Sequence, residues 1–214
     1  MIDLHTHTLF SDGELLPSEL ARRAEQIGVR ALAFTDHVDY SNFRIVTTQI
    51  AQYCAGIEQS DITLIPGVEI THEPPRRIAG LIGECRELGS RLVVVHGETI
   101  VEPVAIGTNR AAIEGEADIL AHPGLITDED AKLAAEKGVA LEISGRGGHS
   151  FTNGHVARQA RKFGAPLVFN SDSHTPRDLM GKSMAESIAQ GAGMTADEME
   201  NMFSFSQKLV ERVQ

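Results

Sequence analysis

Seven short apolar runs, separated by longer segments of helical period, constrain this chain more than any other feature. They read IDLHTH, ALAFTDH, ITLIPGVE, RLVVVHGE, ADILAHP, VALEIS and PLVFNSDSH. Between them lie PSELARRAEQIG, a polar helix near residues 45 to 58, PPRRIAGLIGECRELG, a segment through Ile113, TDEDAKLAAEKG, NGHVARQARKFG and RDLMGKSMAESIAQ. Strand-like runs alternating with helices are the pattern of parallel βαβ units, so seven such units predict an α/β fold with a parallel barrel. Gly28, Gly89, Gly138 and Gly164 each stand just before the next run, where a left-handed C-cap would end a helix. A last helix, about 195 to 213, opens on a capping box from Thr195 to Glu198 and puts Met199, Met202, Phe203, Val210 and Val213 on one face to close the barrel. A length of 214 residues suits one domain spanning 1–214.

The end of each run carries the functional signal. His5 and His7, His37, Glu69, His96, His122, Glu142, and Asp172 with His174 all sit at or just past a strand's C-terminal end. In a parallel barrel those ends converge on one mouth, where active sites are built. Because strand side chains alternate, His5 and His7 are expected on one side with Leu4 and Thr6 on the other. Two buried imidazoles without partners would cost a few kcal/mol, roughly, so they require hydrogen bonds or a metal. One such histidine is more often a satisfied core residue, but here six of nine histidines stand at strand ends. Imidazole and carboxylate without thiolate is the ligand chemistry of zinc, manganese or iron.

Composition removes several alternatives. A net charge of −11 disfavours a polynucleotide partner, whose affinity comes from phosphate neutralisation by Lys and Arg. The two cysteines, Cys54 and Cys85, lack metal-type spacing and read as free thiols in a reducing compartment. A site beginning at residue 5 leaves no room for a signal peptide, and no apolar stretch reaches membrane-spanning length, so a cytoplasmic protein with no membrane partner is expected.

The motifs HTH with SDG, TDH, PGVE, VHGE, AHPG and SDSH, in this order over roughly residues 1 to 185, resemble the polymerase and histidinol phosphatase (PHP) family. The resemblance implies a distorted (β/α)7 barrel with two or three divalent metal ions at its mouth. It assigns one metal to His5, His7, Glu69 and Asp172. A second would share bridging Glu69 and add His96 and His122, and a third would take Asp12, His37 and His174. Some relatives carry histidine at the position of Asp12. A carboxylate that bridges two cations places an acidified water between them, which supplies a nucleophile for phosphate ester cleavage. Glu69, Asp172 and Arg146 are the expected catalytic residues, with Glu69 the bridge.

An arginine fork suits the phosphate itself. Arg146 follows the sixth run and is the preferred clamp; Arg177 is the other candidate, and His149 lies near enough to Arg146 to touch substrate. Glu142 is expected to orient His122 or His174, or to cap a backbone amide. His72 and His155 fall in loops or helix starts where exposed histidine is usual, while Asn109 and Arg110 could reach the mouth. The expected function is metal-dependent hydrolysis of a small phosphate monoester, such as histidinol phosphate. The alternatives are a PHP-type nuclease or nucleotide phosphatase, and an amidohydrolase, which would want a bridging lysine where the fourth run ends in His96.

Overall fold

The computed structural model describes residues 1–57 and 61–213. In chain order the elements are β1 (Ile2–Asp3), α1 (Pro17–Gln26), β2 (Ala31–Phe34), β3 (His37–Val38), α2 (Phe43–Ala55), β4 (Thr63–Ile70), α3 (Pro75–Glu87) and β5 (Leu92–His96). They continue with α4 (Thr108–Glu114), β6 (Ile119–Ala121), α5 (Asp128–Lys137), β7 (Ala140–Ser144), α6 (Asn153–Phe163), β8 (Leu167–Asn170), α7 (Lys182–Gly191) and α8 (Ala196–Val213). The polar helix expected near 45 to 58 is α2; residue 58 lies outside the described residues.

All strand pairs are parallel, in the order β1, β2, β4, β5, β6, β7, β8. The sheet closes where β8 runs past β1: the His7 amide donates to the Ser173 carbonyl (2.9 Å), the Asp172 amide donates to the His5 carbonyl (3.0 Å), and Thr6 bridges Ser173. The result is the expected seven-stranded barrel, with one modification. The second run is split into β2 and β3, both paired to β4 at one offset, Ala31 to Thr63 and His37 to Glu69. Pro66, which has no amide hydrogen to donate, stands in β4 opposite Phe34 beside the gap, and Asp36 turns its carboxylate to the Thr8 amide and the Thr8 and Ser11 hydroxyls.

Period two sorts the strand side chains into two cores. Leu32, Phe34, Val93, Val95, Leu120, Leu141, Ile143 and Phe169 pack outward beneath the helices. Ile2, Ala31, Ala33, Ile65, Leu92, Val94, Ile119, Ala140 and Val168 fill the barrel itself. The same inward register, two residues at a time, leads from Val94 to His96, from Ala33 to His37 and from Ile65 to Glu69. Leu209, Val210 and Val213 of α8 join the inner core, so this helix plugs the end of the barrel opposite the strand C-termini. The capping box forms as expected: Thr195 N donates to Glu198 Oε2 (2.7 Å) and Glu198 N to Thr195 Oγ1 (3.3 Å). Gly28, Gly89, Gly138 and Gly164 all have positive φ.

Candidate metal centre

Residues that end the strands meet in one cluster. A pocket of about 400 Å³ is lined by Asp12, His37, His96, His122, Asp172 and His174 together with His72, Glu102, Arg146 and His149. His5, His7 and Glu69 lie beneath it and are fully buried.

Simple alternation does not deliver every one of these side chains. Leu4 belongs to the inner core, yet His5 also reaches into the barrel, so the expected split of Leu4 from His5 fails. The Leu4 amide donates to Asn170 Oδ1 (2.8 Å) instead of continuing a ladder, and β1 ends at Asp3. His122 and Asp172 have φ of 26° and 53°, conformations that bulky residues rarely adopt. The backbone thus bends to aim them. The turn after β5 is also tight: a Cβ on Gly97 would lie 2.3 Å from the Ala121 carbonyl oxygen.

Several distances inside the cluster fall close to one value, beside shorter contacts such as His37 Nδ1 to Glu69 Oε2 at 2.7 Å. His5 Nε2 lies 3.4 Å from Glu69 Oε1 and His7 Nε2 lies 3.3 Å from Asp172 Oδ1. His122 Nε2 is 3.6 Å from Glu69 Oε1, His37 Nε2 is 3.4 Å from Asp12 Oδ1, and His174 Nε2 is 3.2 Å from Asp12 Oδ1. Most of these are long for hydrogen bonds. Two ligands bound tetrahedrally at about 2.1 Å to one cation stand roughly 3.4 Å apart, the separation seen here. His5 Nε2, both nitrogens of His7, both of His122 and Glu69 Oε1 are buried without a hydrogen-bond partner. Buried polar atoms normally have partners, and an absent ion is a standard reason for an orphan. The residues therefore fit divalent cations, in groups such as His5, His7 and Asp172; His5, Glu69 and His122; and His7, Asp12, His37 and His174.

Neighbouring groups prepare the ligands. Glu142 Oε1 accepts from His5 Nδ1 (2.9 Å) and Asn170 Nδ2 (2.8 Å), while Oε2 accepts from the His122 amide (3.1 Å). It orients His5, not the side chain of His122 or His174, and it does cap a backbone amide. With a proton fixed on Nδ1, the Nε2 lone pair of His5 faces the centre. Burial pushes the Glu69 and Asp172 carboxyls up, but the surrounding imidazoles, His5 first, outweigh it and hold both well below the usual range. Burial takes the His7 imidazole down to about 3, so the ring stays neutral and one of its nitrogens keeps a lone pair for a cation.

The substrate-facing candidates separate. Arg146 lines the pocket and its Nη1 donates to the Asp172 carbonyl (3.2 Å) and to His174 Nδ1 (2.8 Å). Arg177 is exposed and outside the pocket lining. His149 is buried, with Nδ1 3.0 Å from Asp172 Oδ2. Asn109 does not face the pocket. It fastens the loop after β5, accepting from the Glu98 amide (2.9 Å) and donating to the Pro123 carbonyl (2.9 Å). Arg110 pairs with Asp130 (2.7 Å), and His155 turns to the Ile126 carbonyl (2.8 Å). Glu102 was not legible as a site residue, since it lies inside the loop after β5 and not at the strand end itself; His72 is the exposed loop histidine expected, and it also lines the pocket.

A family model described as PHP domain matches residues 3–96. The chain is 46% identical, over 99% of both chains, to an uncharacterized protein of Methanocaldococcus jannaschii. It is 29% identical to a probable phosphatase of Shewanella sp. (strain ANA-3), over 94% of this chain and 86% of that one. It is 27% identical to ribonuclease P protein component 3 of Methanosarcina mazei, over 94% and 85%. Among solved structures, histidinol phosphate phosphatase of Lactococcus lactis, complexed with zinc, L-histidinol and phosphate, superposes with a TM-score of 0.62 at 18% identity, covering 91% of this chain and 94% of that one. Archaeal ribonuclease P with mature tRNA contains a chain that superposes with a TM-score of 0.65 at 17% identity, over 98% and 91%.

Proposed function

The chain belongs to the PHP domain family, and from that premise we propose that it is a metal-dependent phosphoesterase that hydrolyses small phosphate monoesters, with histidinol phosphate the first substrate to try. The observation that carries this reading is the set of unpartnered ligand atoms on His5, His7, Glu69 and His122 beneath a pocket rimmed by Arg146. Metals held there would polarise phosphoryl oxygens and supply an acidified water.

The residues divide the remaining work. Glu69 Oε1 faces His5 and His122 and its Oε2 faces His7 and His37, so this carboxylate, with those imidazoles, would hold the metals that supply the chemistry. Arg146 rests on His174 Nδ1, which must accept that hydrogen bond. Were His174 Nε2 to hold a metal, its Nδ1 would carry the proton and could donate to the Asp172 carbonyl, 3.0 Å away. Arg146, which lines the pocket, would then be free to bind phosphate oxygens. The absence of a lysine from the pocket lining, among the described residues, counts against an amidohydrolase reading.

A second reading, action on or binding to RNA, rests on the likeness to ribonuclease P protein component 3. The charge of −11 and the absence of tryptophan count against it, because a polynucleotide site needs a basic track and stacking platforms. The test is a matched assay of the metal-reconstituted protein on a panel of phosphate monoesters and on single-stranded oligonucleotides. Small monoesters should be favoured by at least about 100-fold in kcat/KM. Faster cleavage of oligonucleotides, abolished in Glu69→Gln, would replace the phosphatase reading with the nuclease one.

A further inference from the structure

Glu102 and His72 stand outside the nine positions expected as metal ligands, yet both line the same pocket. The Glu102 carboxylate is clamped at one oxygen: His149 Nε2 lies 3.2 Å from Oε1. The other oxygen, Oε2, faces two imidazoles, with His96 Nε2 at 2.9 Å and His72 Nε2 at 3.7 Å. The three residues can offer ligand atoms that all lie within 4.8 Å of one another.

The hydrogen-bonding of His96 is what makes this trio informative. Its Nδ1 lies 3.1 Å from the Gly97 carbonyl oxygen, which can only accept. Its Nε2 lies against a carboxylate oxygen, which as an anion can also only accept. A neutral imidazole has one N–H and cannot donate on both sides, and a cation between Nε2 and Glu102 would give both groups a partner. The His122 and His72 rings stand close by, with centroids 4.4 Å and 5.0 Å from that of His96. One cation satisfies Nε2 of both rings and Oε2 together.

The local backbone is built for this. The loop carrying Glu102 is fastened at its base, where Glu98 Oε1 accepts from the Gly107 and Asn109 amides at 2.9 Å each. His72 has φ of 57°, so it shares a left-handed backbone with the site residues His122 and Asp172.

We infer that Glu102 and His72 are ligands, from the solvent side, of the cation that His96 holds. His96 offers a single free nitrogen and serves one cation, so Glu102 and His72 complete an existing position and do not add another. The inference rests on the proposed metal centre. Its test is calorimetric titration of the metal-free protein with Mn²⁺ and Zn²⁺, comparing wild type with Glu102→Gln and His72→Ala, each checked by circular dichroism. In both variants one metal equivalent should weaken by at least about 10-fold while the others keep their affinity. A structure of the Mn²⁺-loaded wild type should place a Glu102 carboxylate oxygen and His72 Nε2 within bonding distance of an anomalous peak. Isotherms identical to wild type in both folded variants, or peaks remote from Glu102, overturn the inference and leave the phosphoesterase reading standing. A wild type that binds no metal overturns both.

Discussion

Glu69 and Glu142 are both fully buried carboxylates on neighbouring sides of His5, and their partners assign them different work. Glu69 faces four imidazoles at its two oxygens, whereas Glu142 holds a ring N–H, a side-chain amide and a backbone amide. Glu69→Gln should abolish measurable monoesterase activity and remove metal. Glu142→Gln should cost about 10- to 100-fold, the usual effect of disturbing a group that orients a ligand. Kinetics and metal analysis on the two proteins check this, and equal losses would show the roles to be misassigned. At the rim, Arg146→Ala should lower kcat/KM toward a monoester about 100-fold, or about 2.7 kcal/mol, with fold and metal content intact. Arg177→Ala should change little, since that side chain is exposed and away from the pocket.

At the scale of elements, α8 is a stability device remote from the chemistry. Leu209 is 2% exposed and packs inside the barrel, so Leu209→Ala should cost about 2–5 kcal/mol by denaturant unfolding. Metal affinity, set at the opposite end of the strands, should stay at the wild-type value. The helix start carries a pH signature. Hydrogen bonding from Arg161, then from the Thr195 amide, holds the Glu198 carboxyl down to about 2 from its ordinary 4.5. A depressed carboxylate stabilises the fold above its unfolded-state pKa and loses that contribution as pH falls through the folded one. The stability gap between wild type and Glu198→Gln should therefore be constant above about pH 5 and close on acidification toward pH 2, as measured by denaturation at a series of pH values.

At the scale of the whole molecule, carboxylates and imidazoles from all parts of the chain are gathered at one end of the barrel, and metal should couple that end to global stability. A cation bound at 100 times its dissociation constant adds about 2.7 kcal/mol, so chelation should lower Tm by roughly 5–10 °C in a chain of this length. Thermal melts with and without a chelator, followed by back-titration with Mn²⁺ or Zn²⁺, check it. A chelator without effect on a protein shown to contain metal would place that metal outside the cluster described here.

Local pattern was enough for the barrel and most of its mouth, because both follow from short-range rules. Alternating strand and helix periods dictate parallel βαβ units, and polar ligands at the ends of apolar runs must converge once the strands are parallel. Other features were settled only by the folded chain. The break between β2 and β3, the inward turn of both Leu4 and His5, and the left-handed backbone at His122 and Asp172 depend on bonds from distant residues such as Asn170 and Asp36. The work of Glu142, the removal of Arg110 and Arg177 from the mouth, and the arrival of His72 and Glu102 are likewise tertiary, because a loop side chain acquires its neighbours from contacts far apart in sequence. Residue type and period specify which groups reach the end of a strand; only three-dimensional packing specifies which loops fold back over it.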